Sequence, residues 1–214
     1  MPVLTKAGHR THPMTLPGME SKDADRSAIT LRDHVDAVVE VVDSLPGKVV
    51  LIGHSGGGAI AHAAVDARPD RVARVIYVDS WPLGAGMCIN DGLPAENGEI
   101  PLPDWSFFDE EDLVDLDDEL RAEFRNRAIP APDRVARDPQ QLSDERRYDV
   151  PITVIACEFP SAKLKEWMDQ GAAPLQELTK VKDVEYVDLP TGHWPQFTKP
   201  KELAQAILST VGHA

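Results

Sequence analysis

The pattern of apolar positions in the first half of the chain predicts alternating helices and strands. Apolar residues recur at helical spacing over residues 31–45, and residues 30–33 fit a variant of the capping box at the start of this helix. Residues 49–52 form an uninterrupted, β-branched-rich run, which is typical of a strand buried on both faces of a parallel sheet. An alanine-rich helix over residues 59–67 and a strand over residues 74–78 complete a β-α-β unit.

The second half of the chain adds two strands and a terminal helix. Residues 150–157 predict a buried strand, and residues 184–189 predict a further strand. The last helix is predicted to begin at Pro200, because proline is favoured at the first helical position. Near the start of the chain we expect a short strand around residues 11–16. Residues 84–148 lack the strand pattern, so we predict that they form a cap inserted over the carboxyl edge of the sheet.

These elements predict an α/β fold with a mostly parallel sheet and helices on both faces, in one domain over residues 1–214. A net charge of −14 disfavours nucleic acid and anionic membranes as partners, because both are negatively charged. We find no membrane-spanning apolar run and no leader pattern, which favours the cytoplasm. Cys88 and Cys157 are too few and too far apart for a zinc site, and we predict no metal.

The strongest chemical signal is the glycine-rich turn that follows residues 49–52. Residues 53–57 read Gly-His-Ser-Gly-Gly, the G-x-S-x-G pattern in which a sharp strand-to-helix turn raises a serine hydroxyl above the sheet edge. Glycines are needed there because a Cβ would collide with the neighbouring strand or helix. We therefore predict that Ser55 is a nucleophile, and the alternative is a plain strand-to-helix turn.

A serine nucleophile needs a general base, and His193 is the best placed histidine. His193 follows the strand predicted over residues 184–189, so it should lie at the carboxyl edge of the sheet beside Ser55. The alternative is a turn histidine exposed to solvent. His54 points differently and is predicted to be structural. The remaining histidines are predicted to be surface or packing residues: His9, His12, His34, His62 and His213.

With these motifs, the chain resembles the α/β-hydrolase fold family, in particular its small bacterial esterase-like members. The resemblance rests on residues 53–57, on Tyr-Val-Asp at 77–79 and on Leu-Pro-Thr-Gly-His-Trp-Pro at 189–195. It implies an acyl-enzyme intermediate on Ser55, hydrolysis of an ester or a related carbonyl substrate, and no cofactor. It also implies that the backbone amide of Gly56 donates to the oxyanion.

The acid that orients the histidine is less regular than in the family. Family members usually carry an aspartate a few residues beyond the strand that here ends at Cys157, and this loop has none. Glu158 is the carboxylate at that strand end. Some lipase-like members instead use the end of the strand after the elbow helix, which here carries Asp79. We favour Asp79 over Glu158, and either could instead be a structural hydrogen-bond acceptor.

The family also carries an early strand and a glycine-rich loop that provides a second oxyanion donor, and we find no such segment. We therefore hypothesise either that the protein starts upstream of Met1 or that it is a weakly active relative. Trp105, Phe107 and Phe108 in the cap either line an apolar substrate pocket or anchor the cap to the core. Residues 104–124 carry ten acidic side chains, which favour a solvated helix face over a cation site.

The sequence thus predicts a serine hydrolase that acts on a small, apolar ester. Two alternatives share the same fold: a noncatalytic small-molecule-binding protein, and an enzyme with lyase or haloperoxidase-like activity, since a fold does not fix the chemistry. The oligomeric state and the identity of the substrate do not follow from the residues.

Overall fold

The computed structural model describes residues 2–211 and contains a four-stranded parallel sheet, in which the strands over residues 49–54, 72–78, 152–156 and 184–188 lie side by side in that order. His213 lies outside the described residues. The strands are β1 (Val49–His54), β2 (Val72–Val78), β3 (Glu99–Ile100), β4 (Ala131–Pro132), β5 (Ile152–Ala156) and β6 (Val184–Asp188). The helices are α1 (Pro2–Lys6), α2 (Leu31–Ser44), α3 (Gly56–Ala67), α4 (Asp118–Arg127), α5 (Asp133–Arg137), α6 (Ser161–Asp169), α7 (Pro195–Thr198) and α8 (Pro200–Val211). The predicted strand at residues 11–16 is wrong, since this segment pairs with no strand among the described residues.

Helix α2 begins with the capping box that the sequence predicts. The Asp33 amide donates to Thr30 Oγ1 at 3.2 Å, and the Thr30 amide donates to Asp33 Oδ2 at 2.8 Å. Such reciprocal bonds satisfy amides that the first turn of a helix leaves free. The valines of α2, including Val35 and Val39, pack on α3. Helix α2 therefore forms an outer layer that holds α3 against the sheet.

Helices cover both faces of the sheet, which confirms the sequence prediction. Successive residues of a strand point to opposite faces. On one face, α3 and α6 pack over buried residues that include Val75 and Val154. On the other face, α1 and α8 pack over Ile76 and Ile155. Strands β2 and β5 are thus enclosed on both faces, as continuous apolar strands of a parallel sheet require.

Strand β1 is less buried than the sequence predicts. We expected it to be covered on both faces, but Val49, Val50 and Leu51 are only half-buried, and Ile52 is 45% exposed. The reason is its position in the sheet: among the described residues, β1 pairs with β2 and with no other strand. The strand that leads to Ser55 therefore lies at an edge of the described sheet.

The segment of residues 84–148 leaves the sheet after β2 and returns before β5, and we call it the cap. It contains α4, α5 and the antiparallel pair β3–β4. Its two ends meet, because the Gly86 amide donates to the Gln140 carbonyl at 2.8 Å and the Gln140 amide donates to the Met87 carbonyl at 2.7 Å. The buried Gln140 side chain also donates to the Ala59 carbonyl of α3 at 2.8 Å. The cap is therefore closed at its base and fixed to α3.

A buried network of charged side chains also joins α3 to the end of the cap. Arg147 donates from Nε to Glu177 Oε1 and from Nη1 to Asp66 Oδ1, both at 3.0 Å. The ring of His62, whose pKa is lowered by burial, lies 3.3 Å from Glu177 and 3.0 Å from the Tyr77 hydroxyl. His62 is thus a packing residue.

No helix within residues 2–211 is both long enough and apolar enough to cross a bilayer.

Candidate active site

Ser55 lies between the end of β1 and the start of α3 in a strained turn. Its backbone has φ 51° and ψ −127°, in a region that residues other than glycine rarely adopt. The turn also depends on Gly53, where a Cβ would lie 2.6 Å from the Gly57 carbonyl carbon and 2.7 Å from the Gly58 nitrogen. Gly57 itself has open space around its Cβ position. Sterics therefore require glycine at position 53 but not at position 57.

The structure brings Ser55, His193 and Asp79 into one chain of hydrogen bonds. Nε2 of His193 lies 2.9 Å from Ser55 Oγ, and Nδ1 lies 2.7 Å from Asp79 Oδ2. The loop that carries the histidine is fixed by the cap, because the His193 amide donates to the Asp112 carbonyl at 2.9 Å. The ring is therefore held between a hydroxyl and a carboxylate, with one nitrogen facing each.

Asp79 directly follows β2 and is held in its ionised form by backbone amides. Its Oδ1 accepts the amides of Cys157 at 2.9 Å and Glu158 at 3.2 Å. Burial raises the pKa of Asp79, but the bond to His193 and these amides outweigh burial and keep the pKa below its ordinary value. Asp79 also adopts a positive φ of 45°, so the residues that directly follow β1 and β2 are both strained, and both contact His193.

Glu158 reaches the same ring nitrogen as Asp79. Its Oε1 lies 2.7 Å from Nδ1 of His193, although this buried oxygen has no well-aligned hydrogen bond within the described chain. Burial raises the pKa of Glu158 to about 7, with further contributions from the carboxylates of Asp79 and Asp112, against the opposing contact with His193. Both of the acids considered from the sequence therefore lie at one imidazole nitrogen.

The two carboxylates change the proton affinity of the histidine. Burial lowers the pKa of His193, but the bonds and charges of Asp79 and Glu158 outweigh burial and raise it to about 9. His54, at the end of β1, contacts the backbone of His193: its Nε2 lies 2.6 Å from the His193 carbonyl oxygen. Burial, followed by the charge of His193, lowers the pKa of His54 to about 4, so His54 is neutral and donates to that carbonyl.

Gly56 is the first residue of α3. Its amide is one of the first four of the helix, which have no partner within the helix and carry the positive end of the helix dipole. A side chain at Gly56 would approach the cap, because a Cβ there would lie 3.0 Å from Ile89 Cγ2. A larger residue at position 56 would therefore require the Ile89 side chain to move.

Asp79, Glu158 and His193 also form the group of potential metal ligands found among residues 2–211, with ligand atoms within 4.8 Å of one another. Asp79 and His193 are already joined by a hydrogen bond of 2.7 Å, and we assign no metal to this group. The acidic residues predicted to form a solvated face include turn-forming side chains: Asp112 accepts the Asp109 amide at 2.9 Å, and Asp117 caps α4.

The cap aromatics pack around Trp194, the neighbour of His193. Ring centroids of Trp105 and Phe108 lie 6.1 and 5.1 Å from that of Trp194, which is itself buried. Phe107 is 48% exposed and touches Phe108. Of the two interpretations drawn from the sequence, these contacts favour the one in which the aromatics anchor the cap, here to the loop of His193.

Sequence reasoning missed an apolar cavity on the carboxylate side of the His193 ring. The cavity has a volume of about 90 Å³ and touches the ring and both carboxylates. Its apolar lining comes from Trp81, Val154, Ala156, Phe159 and Leu164. Several of these residues end or follow β2 and β5. The sequence signal that could have indicated the cavity was therefore the common edge at which the parallel strands end. The Ser80 hydroxyl, which also borders the cavity, is buried with no hydrogen-bond partner among the described residues.

Comparison with known proteins gives a consistent set of relatives. The sequence model of the family described as "Alpha/beta hydrolase family" matches residues 1–206. A pyrethroid hydrolase from Sphingobium wenxiniae is 25% identical over 97% of this chain and 79% of its own length. Methylesterase 3 from Arabidopsis thaliana is 22% identical over 97% of this chain and 87% of its own length.

Solved structures show the same fold at lower identity. A methylesterase from Arabidopsis superposes with a TM-score of 0.74 at 19% identity, covering 100% of this chain and 91% of that one. A pyrethroid hydrolase from Sphingobium faniae gives a TM-score of 0.66 at 20% identity, covering 97% and 88%.

Proposed function

The chain belongs to the alpha/beta hydrolase family and is a hydrolase, and we propose that it is a serine esterase with Ser55 as its nucleophile. The observation that carries this proposal is the unbroken chain of hydrogen bonds from Ser55 through His193 to Asp79. A serine hydroxyl becomes an effective nucleophile only when a base removes its proton, and this chain supplies the base and its orienting acid.

In the proposed reaction, Ser55 Oγ attacks the ester carbonyl carbon while its proton passes to Nε2 of His193. The tetrahedral intermediate then collapses, the bond to the leaving alcohol breaks, and His193 returns the proton to that alcohol. A water molecule attacks the resulting acyl-enzyme by the same route, which releases the acid and restores the Ser55 hydroxyl. Asp79 stays ionised throughout and stabilises the imidazolium.

The oxyanion of each tetrahedral intermediate needs hydrogen-bond donors near Ser55. We propose that the Gly56 amide is one of them, since it belongs to the free amides at the start of α3. The positive end of the helix dipole adds to this stabilisation.

For the orienting acid, we propose Asp79 rather than Glu158. Two supports distinguish them: Asp79 has the aligned hydrogen bond to Nδ1, and two backbone amides hold Asp79 in its charged form. Glu158 Oε1, by contrast, has no well-aligned hydrogen bond among the described residues. A carboxylate must be charged to stabilise the imidazolium.

We further propose that the substrate is a small ester with an apolar acyl or alcohol part. The apolar side chain of Ile89, which lies beside Gly56, supports this, because the reacting ester would contact Ser55 and Gly56. The names of the relatives, a pyrethroid hydrolase and methylesterases, support an ester as the bond that is cleaved. The expected result is a higher kcat/KM for p-nitrophenyl esters of apolar acids than for those of charged acids.

Labelling with a serine-directed fluorophosphonate tests the nucleophile. We expect the unmodified protein to form one adduct and the Ser55→Ala variant to form none. Ser209→Ala, which removes an exposed hydroxyl in α8, is the matched control and should label normally. Adduct formation that persists in Ser55→Ala would overturn the proposed nucleophile. A Ser55-dependent adduct without turnover of any ester would instead indicate another chemistry on the same serine, such as a lyase reaction.

A further inference from the structure

Two carboxylate oxygens compete for the single proton on one ring nitrogen. Asp79 Oδ2 and Glu158 Oε1 each lie 2.7 Å from Nδ1 of His193. A neutral imidazole that accepts the Ser55 proton at Nε2 carries one hydrogen at Nδ1, and this hydrogen can point well at only one oxygen. Orienting the ring therefore requires one carboxylate, and the second needs a separate explanation.

The groups that face this contact make it strongly acidic. Asp79 follows β2, Glu158 follows β5, and the Asp112 carboxyl of the cap faces Glu158. Opposite them stand His193 and the neutral His54. Among the ion pairs of residues 2–211, neither Asp79 nor Glu158 contacts a lysine or an arginine. The positive charge nearest to both carboxylates is therefore that of His193 itself, once it is protonated.

Each carboxylate that ionises here makes the protonated ring more stable, because opposite charges in contact favour each other's charged forms. Burial of Glu158 increases this dependence, since it leaves Oε1 with no other donor. The raised pKa values of both His193 and Glu158 agree with such a coupled group of titrating side chains.

We propose that Glu158 is a positioning residue that sets the pH at which His193 becomes a free base. Ionised Glu158 holds the imidazole in its protonated form around neutral pH, and Ser55 therefore gains its base only as the solution becomes alkaline. This inference rests on the proposed function, since it assigns His193 as the base and Asp79 as the orienting acid.

Removing the charge of Glu158 should have opposite effects at the two ends of the pH range. At neutral pH, Glu158→Gln should expose more free base and react faster. In alkaline solution the base is free in both proteins, and the unmodified protein should then be faster, because a more basic imidazole accepts a proton more effectively. The two pH profiles should therefore cross.

The experiment compares kcat/KM for an apolar p-nitrophenyl ester from mildly acidic to alkaline pH. For Glu158→Gln, we expect the acidic limb to move down by about one pH unit or more, and the rate at neutral pH to rise about three- to tenfold. Glu202→Gln removes an exposed glutamate charge of α8 and should leave the limb unchanged. Glu158→Ala should behave like Glu158→Gln, and it serves as the second variant if the glutamine protein does not fold.

Titration of the His193 ring by nuclear magnetic resonance separates this inference from the proposed function, because it needs no turnover. In the Ser55→Ala background, Glu158→Gln should lower the midpoint of the His193 titration, and Glu158→Asp should restore most of it. An unchanged midpoint would overturn the inference. Loss of activity at every pH in Glu158→Gln, as large as in Asp79→Asn, would also overturn it, since Glu158 would then be the orienting acid. A shifted midpoint in a protein without esterase activity would leave the inference standing and remove the proposed function.

Discussion

The two sides of the His193 ring are built in different ways. On one side, Nε2 faces a single group, the Ser55 hydroxyl, which a strained turn between β1 and α3 holds in place. On the other side, Nδ1 faces two carboxylates that come from the ends of β2 and β5. The serine side is fixed by local sterics, whereas the carboxylate side depends on how distant parts of the chain meet.

Different residues therefore control the position of the Ser55 oxygen and the charge of the His193 ring. Gly53 determines where the Ser55 oxygen lies, because a side chain at that position would collide with the backbone of α3. Asp79 and Glu158 determine how tightly His193 holds a proton. Substitutions on the serine side should therefore change rates at all pH values, and substitutions on the carboxylate side should also change the pH dependence.

The largest effect is expected for the acid. Asp79→Asn should lower kcat by about 10³- to 10⁴-fold, because an amide neither stabilises the imidazolium nor favours the correct tautomer. Steady-state kinetics with an aryl ester measure this loss, and circular dichroism verifies that the variant is folded. Equal, small losses in Asp79→Asn and Glu158→Gln would show that neither carboxylate acts as the orienting acid.

A smaller effect is expected from the turn that positions the nucleophile. Gly53→Ala should push the turn away from β1 and lower kcat about 10- to 100-fold, because misplacement by about 1 Å has effects of that size. Gly57→Ala is the matched control, since its Cβ would have open space. Kinetics of fluorophosphonate labelling provide a second measurement. Equal activity in the two variants would contradict the steric role of Gly53.

The smallest effect is expected from the hydrogen bond between the His54 ring and the backbone carbonyl of His193. His54→Phe removes the donor to the His193 carbonyl, which should destabilise the protein by about 1–3 kcal/mol, the usual cost of an unpaired buried acceptor. Thermal unfolding measures this loss, and His12→Phe, at an exposed position, is the control. If both variants unfold at the same temperature, the contact has no structural importance.

The sequence predicts most of the central fold because runs rich in apolar residues mark strands β2 and β5. The prediction fails where the burial of a segment depends on which strands lie beside it, because the pattern of apolar residues does not reveal the neighbouring strands. The run over residues 49–52 has the composition of a central strand, yet β1 lies at an edge of the described sheet and Ile52 is 45% exposed. Residues 11–16 alternate like a strand but meet no partner strand within the described part.

In the candidate site, too, local motifs could be predicted from the sequence, whereas contacts between distant segments could not. Ser55 is identified by a contiguous motif, and His193 is identified because parallel strands end at a common edge. The choice between Asp79 and Glu158 could not be made from spacing, because both strands end beside the same ring. Their catalytic roles stay predictions. The apolar cavity was missed since its lining comes from several separate segments.

The closed base of the cap, where Gln140 bonds to Gly86 and Met87, also bears on how this protein can diverge. The entropy of closing a loop grows with the logarithm of its length, about 0.6 kcal/mol for each doubling. Insertions and deletions in the cap, away from the contacts of Asp112 and Ile89 with the site, are therefore expected to cost the sheet little. In duplicated genes, those parts of the cap can vary in length and sequence while β1 and β2, which lead to Ser55 and Asp79, keep their register.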